Sequence, residues 1–206
     1  MKLKFALVAG MAVVTAACGG EKSQASNGIQ NEATSPATVG EAGNGNAQSA
    51  ATAGGDGHGG APVLDAQGKQ VATADVAQQG DQLYVAIQVT DMAPGTYAAH
   101  IHMTGRCEAP TFQSAGAHWN PTGRQHGSEN PEGPHLGDLP NLTIGADRRG
   151  QIEFRVPNAS FEGGANPVLD ADGAAVVIHA GPDDHRTDPS GNSGDRIACG
   201  VLGRSG

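Results

Sequence analysis

The chain of 206 residues is long enough for one domain of ordinary size with a tail, and its composition favours that division. Only 3% of the residues are aromatic and 32 are Gly, which suits a β-rich domain with many turns better than a helical bundle. The formal net charge is -9 at pH 7, and residues 57–206 hold 9 Lys and Arg against 17 Asp and Glu. That part has no basic tract, so we predict no nucleic-acid partner.

The N-terminus has the layout of an export signal. Lys2 and Lys4 precede an apolar run, residues 5–17, that is too short to cross a bilayer core of about 30 Å. The run ends in small residues directly before Cys18, which resembles the bacterial lipobox, in which the cysteine is lipidated and becomes the mature N-terminus. We therefore predict a signal peptide over residues 1–17 and an exported lipoprotein of the cell envelope that faces the periplasm. A soluble secreted protein cleaved nearby is the alternative.

The next stretch cannot build a core. It is dominated by Gly, Ala, Ser, Asn, Gln and Thr, with no aromatic residue, so burial cannot offset the entropy of ordering it. We predict a flexible linker over residues 18–60, which begins with the lipidated cysteine, and a folded domain over residues 61–206. His58 falls in this linker and is expected to be solvated.

The cysteines fit the same division. Cys18 stands at the predicted cleavage site, which leaves Cys107 and Cys199 as an even pair in an exported domain. We expect a disulfide between them, which on the chain-entropy model would stabilise the domain by about 4 to 5 kcal/mol. Two buried free thiols are the alternative.

Short apolar or alternating stretches bounded by turn residues predict strands throughout the domain. Together they indicate an all-β fold, an antiparallel sandwich or barrel. The predicted strands are residues 70–76, 82–90, 97–103, 141–144, 151–156 and 174–178. Two regions, residues 104–140 and 180–195, resist strand assignment, and structureless loops of this length are usually functional or disordered.

The histidines form a pattern that metal coordination explains. His100 and His102 are separated by one residue, so on a strand both would project from one face while Ile101 points into the core. Four more candidate ligands follow in the first of these two regions, and a fifth ends a late strand. They are His118, His126, His135, Asp138 and His179. Imidazole is a good ligand for both copper and zinc.

In order and spacing, several segments resemble the copper/zinc superoxide dismutase family over about residues 62–203. The segments are Gly95–His102, Ser114–Pro121, Gln125–Gly127, His135–Asn141, Val176–His179 and Gly194–Val201. The resemblance implies a Greek-key antiparallel β-sandwich, or flattened barrel, with two long functional loops. It also implies dismutation of superoxide to oxygen and hydrogen peroxide, with one copper and one zinc per chain as cofactors.

The resemblance further implies a role for each candidate residue. Copper would be held by His100, His102, His118 and His179, and zinc by His118, His126, His135 and Asp138, so that His118 bridges the two metals and takes part in catalysis. Asp183 would link a copper histidine to a zinc histidine, and Arg196 would be a catalytic guanidinium beside the copper channel. Without the resemblance, Asp183 would be interpreted as a solvated loop residue and Arg196 as a surface residue. His185 matches no ligand and is expected to be solvated.

Two other functions compete with the enzyme. One is a non-catalytic copper-binding envelope lipoprotein on the same fold, since fold alone does not decide function. The other is a structural adhesion sandwich, which leaves the clustered histidines unexplained. The predicted partners are superoxide and, through Cys18, a membrane. Monomer and homodimer both stay open.

Overall fold

The computed structural model describes residues 57–205, and the regular structure in that range is almost entirely strand. The strands are β1 (His58–Asp65), β2 (Gln70–Gln79), β3 (Gln82–Val89), β4 (Gly95–Tyr97), β5 (Ala99–His102), β6 (Leu142–Ile144), β7 (Gly150–Pro157), β8 (Ala174–His179) and β9 (Arg196–Arg204), with one 3-10 turn at Gln113–Ala115. No helix within this range is long and apolar enough to cross a membrane. The predicted signal peptide, Cys18 and most of the predicted linker lie outside the described residues.

Seven strands form one curled antiparallel sheet in the order β5-β8-β9-β1-β2-β3-β7, and β4 pairs with β6 in a small second sheet. The predicted fold class, an antiparallel β-sandwich or flattened barrel with two long loops, is confirmed. The long loops are the β5–β6 loop, residues 103–141, and the β8–β9 loop, residues 180–195.

The core lies between the inward faces of these strands. On β3, Leu83, Val85 and Ile87 are fully buried and alternate with the less buried Tyr84 and Gln88, as the sequence pattern predicts. Large apolar side chains from other elements complete the same cluster, among them Ile101, Trp119, Leu142, Val176 and Ile178. One face of β5 and one face of β8 therefore pack against the core.

Two strands were missed in the prediction, β1 and β9. Their inward positions carry mostly small residues, so the apolar alternation is weak in the sequence. Gly200 shows why small residues are needed there, since a Cβ atom at this position would lie 2.7 Å from the carbonyl oxygen of Pro62 on β1. β1 begins at His58, so residues 58–60, which were assigned to the linker over residues 18–60, belong to the folded domain. His58 is exposed, but it belongs to the sheet.

The single strand predicted over residues 97–103 is two strands in different sheets. The chain changes partner at Ala98, whose N–H donates to Gly181 O at 2.7 Å and whose carbonyl accepts from His179 N at 2.9 Å. β4 therefore pairs with β6, and β5 pairs with β8. The other edge of β5 bonds the β5–β6 loop, since the Ile101 N–H donates to Gly137 O at 2.9 Å.

The predicted disulfide is confirmed. Cys107, in the β5–β6 loop, is bonded to Cys199, on β9, with the Cα atoms 5.6 Å apart and a sequence separation of 92. Cys199 is buried in a small apolar cluster with Phe112, Ala115 and Val177. The bond therefore ties the first part of the long loop to the sheet.

Candidate metal centre

The edge strand β5 and its neighbour β8 supply three of the histidines. His100 and His102 alternate with Ile101, which is buried in the core, so both imidazoles lie on the same face of β5. His179 is the last residue of β8, which pairs with β5. An isolated bridge between His102 and His118 brings a fourth ring from the β5–β6 loop. The four buried rings each offer a nitrogen, and these nitrogens lie within 4.8 Å of one another.

In each of these four rings, one buried nitrogen has no hydrogen-bond partner. These atoms are Nδ1 of His100 and Nε2 of His102, His118 and His179. His102 Nδ1 lies 3.0 Å from Gly116 O, and His179 Nδ1 lies 3.2 Å from Gly194 O. Because a carbonyl oxygen only accepts, the Nδ1 atoms of His102 and His179 carry the proton, and their Nε2 atoms keep a lone pair. An unsatisfied buried lone pair is costly, and one metal ion would satisfy all four.

Burial also keeps these rings neutral. It lowers the pKa of His100 to about 3, that of His102 to about 2 and that of His179 to about 4. Burial lowers the pKa of His118 as well, against the opposing effect of Asp138. Neutral imidazole is the form that binds a metal, so the cluster is ready for one near neutral pH.

A second cluster surrounds Asp138. Its Oδ1 lies 3.0 Å from Nδ1 of His118, 3.0 Å from Nδ1 of His126 and 3.2 Å from Nδ1 of His135. Its Oδ2 accepts the backbone N–H groups of Gly127 and His135 at 2.9 and 3.0 Å, which fixes the orientation of the carboxylate. Imidazole nitrogens and carboxylate oxygens both bind zinc, and four such groups match its preferred four-coordination.

The charges of the second cluster favour a cation. Burial acts to raise the pKa of Asp138, but hydrogen bonds from the three histidines outweigh it and hold that pKa well below its usual range. Burial acts to lower the pKa of His126, but the carboxylates of Asp138 and Asp183 outweigh it and raise the pKa to about 9. The carboxylates are therefore ionised, and a bound metal would compete with the His126 proton.

His118 belongs to both clusters. Its Nδ1 faces Asp138, while its Nε2 is one of the four unpartnered nitrogens of the first cluster. His100 also lies close to His126 and Asp138. However, Nδ1 of His100 is the unpartnered atom of the first cluster and Nε2 is bonded to Asp183, so His100 has no nitrogen left for the second. His118 is therefore the ring that can serve two metals.

Asp183 connects the two clusters from the outside. Its Oδ2 lies 2.7 Å from Nε2 of His100, and its Oδ1 lies 2.9 Å from Nε2 of His126. The side chain of Asn141 holds the backbone of Asp183 at both ends: Oδ1 accepts the Asp183 N–H at 2.8 Å, and Nδ2 donates to the Asp183 carbonyl at 2.9 Å. Asp183 is buried, so its reading as a solvated loop residue is wrong.

His185, which was expected to be solvated, is only partly exposed and is also hydrogen-bonded. Its Nε2 accepts from Asn141 Nδ2 at 3.0 Å, its N–H donates to Asp183 Oδ1 at 2.7 Å, and its side chain is 29% exposed. Sequence reasoning also missed Asn141 and Ser193. The Ser193 hydroxyl is buried 3.1 Å from Nδ1 of His179 and donates to Ser190 O. Single Asn and Ser residues in loops carry no sequence signal for such roles.

A cavity of about 300 Å³ opens over the first cluster, and its lining includes His118, His179 and Arg196. The Arg196 guanidinium donates to Phe112 O at 2.8 Å and to Gly116 O at 2.6 Å. Both partners are neutral carbonyls, so the positive charge stays available to an anion in the cavity. Burial lowers the pKa of Arg196, yet an arginine stays protonated at neutral pH. The structure thus brings Arg196 beside the histidines rather than onto the outer surface.

A family model described as copper/zinc superoxide dismutase (SODC) matches residues 69–202 of this chain. The chain belongs to the copper/zinc superoxide dismutase family. Membership in this family makes the protein an enzyme of the superoxide dismutase class, with copper and zinc as its cofactors. The unpartnered nitrogens and the Asp138 cluster fit those two metals.

Relatives in the copper/zinc superoxide dismutase family cover the same region. The chain is 39% identical over 146 residues to superoxide dismutase (Cu-Zn) 2 of Aquifex aeolicus. The aligned residues cover 69% of this chain and 84% of that protein. It is 41% identical over 143 residues to the superoxide dismutase-like protein YojM of Bacillus subtilis, 68% of this chain and 73% of that protein. A crystal structure of a SOD-like protein from Bacillus subtilis has a TM-score of 0.66 at 38% identity, with 69% of this chain and 97% of that chain covered.

Proposed function

We propose that this protein dismutates superoxide at the first cluster, which holds copper, while the second cluster holds zinc. The copper ligands are His100, His102, His118 and His179, and the zinc ligands are His118, His126, His135 and Asp138. One observation carries the proposal: four buried ring nitrogens without partners converge beneath a cavity that Arg196 lines. One of the four belongs to His118, whose other nitrogen lies in the second cluster.

When bound, copper supplies reversible one-electron chemistry, and zinc supplies a fixed positive charge without redox chemistry. The chain's own residues supply access, charge and protons. Arg196 attracts the superoxide anion into the cavity, because its guanidinium is neutralised by no carboxylate within the described residues. This local charge is needed because the protein as a whole carries a net charge of -9.

His118 is placed to carry a proton. In the balanced reaction one superoxide gives up an electron and leaves as oxygen, and the next gains an electron and two protons to become hydrogen peroxide. His118 lines the cavity and its Nε2 faces the first cluster, so this nitrogen can take up one proton in the first half-reaction and release it in the second. The second proton comes from water in the cavity.

The competing function is copper binding without catalysis on the same fold. Storage would need the four histidines, but it would not need an open cavity with an arginine beside them. The experiment is to load the protein with both metals, measure copper and zinc per chain, and follow superoxide consumption. We expect one of each metal and catalytic consumption. Stoichiometric copper without catalysis would support storage instead.

The protein is further proposed to be an exported lipoprotein anchored at Cys18 and facing the periplasm. The supporting observation is the apolar run ending in small residues before Cys18. Mass spectrometry of the protein from a membrane fraction should find a lipidated Cys18 as the first residue. Cys18→Ala should release the protein from membranes, and a membrane-bound, unmodified Cys18 would contradict the anchor. Cross-linking at several concentrations would distinguish monomer from homodimer.

A further inference from the structure

The outer nitrogens of the zinc-cluster histidines are partnered by residues that differ from ring to ring. His118 Nε2 faces the copper cluster, and His126 Nε2 lies 2.9 Å from Asp183 Oδ1. For His135, the resemblance to the family names no partner. In the structure, His135 Nε2 faces Asp188 Oδ1 at 3.9 Å.

Asp188 contacts a second zinc-cluster residue as well. The same Oδ1 accepts the backbone N–H of His126 at 2.7 Å, across a sequence separation of 62. One carboxylate of the β8–β9 loop therefore fixes the backbone at His126 and lies opposite the ring of His135. Neither contact is local, so both depend on how the two long loops pack together.

The chemistry of His135 calls for such a carboxylate. Its Nδ1 points to Asp138 and is the atom offered to zinc, so the ring that binds zinc must carry its proton on Nε2. A carboxylate opposite that N–H fixes the tautomer and the ring orientation and makes Nδ1 a stronger ligand. At 3.9 Å the interaction is too long for a direct hydrogen bond, and it acts by charge or through a bridging water. His135 and Asp188 both line a cavity of about 440 Å³ that has room for one.

We propose that Asp188 is a positioning residue of the zinc cluster that holds His135 in its zinc-binding tautomer and orientation. This inference rests on the proposed zinc assignment. Loss of the carboxylate is therefore expected to weaken zinc binding.

The test uses the full chain and two substitutions. Asp188→Asn keeps an acceptor for the His126 N–H but removes the charge, and Asp188→Ala removes both. Asp170→Asn is the matched control, since Asp170 lines the same cavity but forms no ion pair within 4.0 Å with any described histidine. Zinc affinity is measured by competition with a chromophoric chelator. Co²⁺ in place of zinc reports the ligand geometry through its visible absorption.

We expect Asp188→Ala to lower zinc affinity by about 10- to 100-fold and Asp188→Asn by about tenfold, with an altered Co²⁺ spectrum in both. Asp170→Asn should match the wild type in affinity and spectrum. If Asp188→Asn matches the wild type, the inference is overturned whatever Asp188→Ala does, because Asp188→Ala also removes the acceptor of the His126 N–H. It is overturned as well if Asp170→Asn loses as much affinity as Asp188→Asn. A wild-type chain that binds neither zinc nor Co²⁺ would overturn the zinc assignment itself, which separates the two failures.

Discussion

His100 Nε2 lies 2.7 Å from Asp183 Oδ2, and this bond decides which nitrogen of His100 faces the copper cluster. His102 and His179 offer Nε2, whereas His100 offers Nδ1, because its Nε2 is already bonded. The orientation of one copper ligand thus depends on a carboxylate that also bonds a zinc-cluster histidine. The two metals are expected to respond together when that carboxylate is changed.

Asp183→Asn should therefore weaken the binding of both copper and zinc. An amide can satisfy at most one of the two imidazole N–H groups as well as the carboxylate does, and it supplies no charge. We expect a loss of about 10- to 100-fold in affinity for copper and for zinc, measured by chelator competition. Asp184→Asn is the control, since Asp184 bonds only loop residues. Loss of zinc alone would show that His100 does not depend on Asp183.

Arg196 should matter for rate rather than for metal binding. Arg196→Gln removes the cavity's cation and is expected to lower kcat/KM at least about tenfold, because anion attraction is lost. Arg196→Lys should retain part of the rate, since it keeps the charge but not both bonds to the carbonyls of Phe112 and Gly116. The visible spectrum of bound copper should stay unchanged in both. An unaltered rate in Arg196→Gln would contradict the steering role.

The negative charge of Asp195 should weaken the attraction of superoxide by Arg196. Asp195 is exposed, lines the same cavity and carries the opposite charge. Asp195→Asn is expected to raise kcat/KM by up to about twofold at low ionic strength, with a smaller gain at high salt where charges are screened. Asp81→Asn, in the turn between β2 and β3, removes an equal charge away from the cavity. Equal gains in the two variants would point to net charge rather than to local field.

The disulfide should stabilise both the fold and the channel. Phe112 and Gly116, which hold Arg196, lie in the loop that Cys107 ties to β9. Replacing Cys107 and Cys199 together by Ser is expected to lower the free energy of unfolding by about 2 to 5 kcal/mol, measured by urea denaturation with both metals bound. The rate should fall as well. A less stable variant with a full rate would show that Arg196 is held without the disulfide.

Much of the sheet could be predicted from the sequence because strands such as β3 alternate large apolar and polar residues. β1 and β9 could not, because Gly and Ala occupy inward positions where backbones approach closely. The break at Ala98 was also hidden, since its partners are Gly181 and His179, far along the chain. Periodicity shows which face is buried, but it does not show which strand lies opposite.

The candidate ligands could be chosen from residue type, order and spacing. The residues that orient them could not, because their roles arise where two long loops meet. Asn141 holds Asp183 from 42 residues away, and Asp188 reaches His126 from 62 residues away. Backbone carbonyls such as Gly116 O carry no side-chain signal at all. Such contacts are visible only once the loops are folded against each other.

The measurement that tests the central claim most directly is superoxide decay after pulse radiolysis, with the protein loaded with copper and zinc. We expect decay near the diffusion limit for the wild type and for His58→Ala, whose ring is exposed on β1. His179→Ala removes one unpartnered nitrogen of the copper cluster and should abolish nearly all of that rate. Slow decay in a wild-type protein with full copper occupancy would contradict the assignment as a superoxide dismutase.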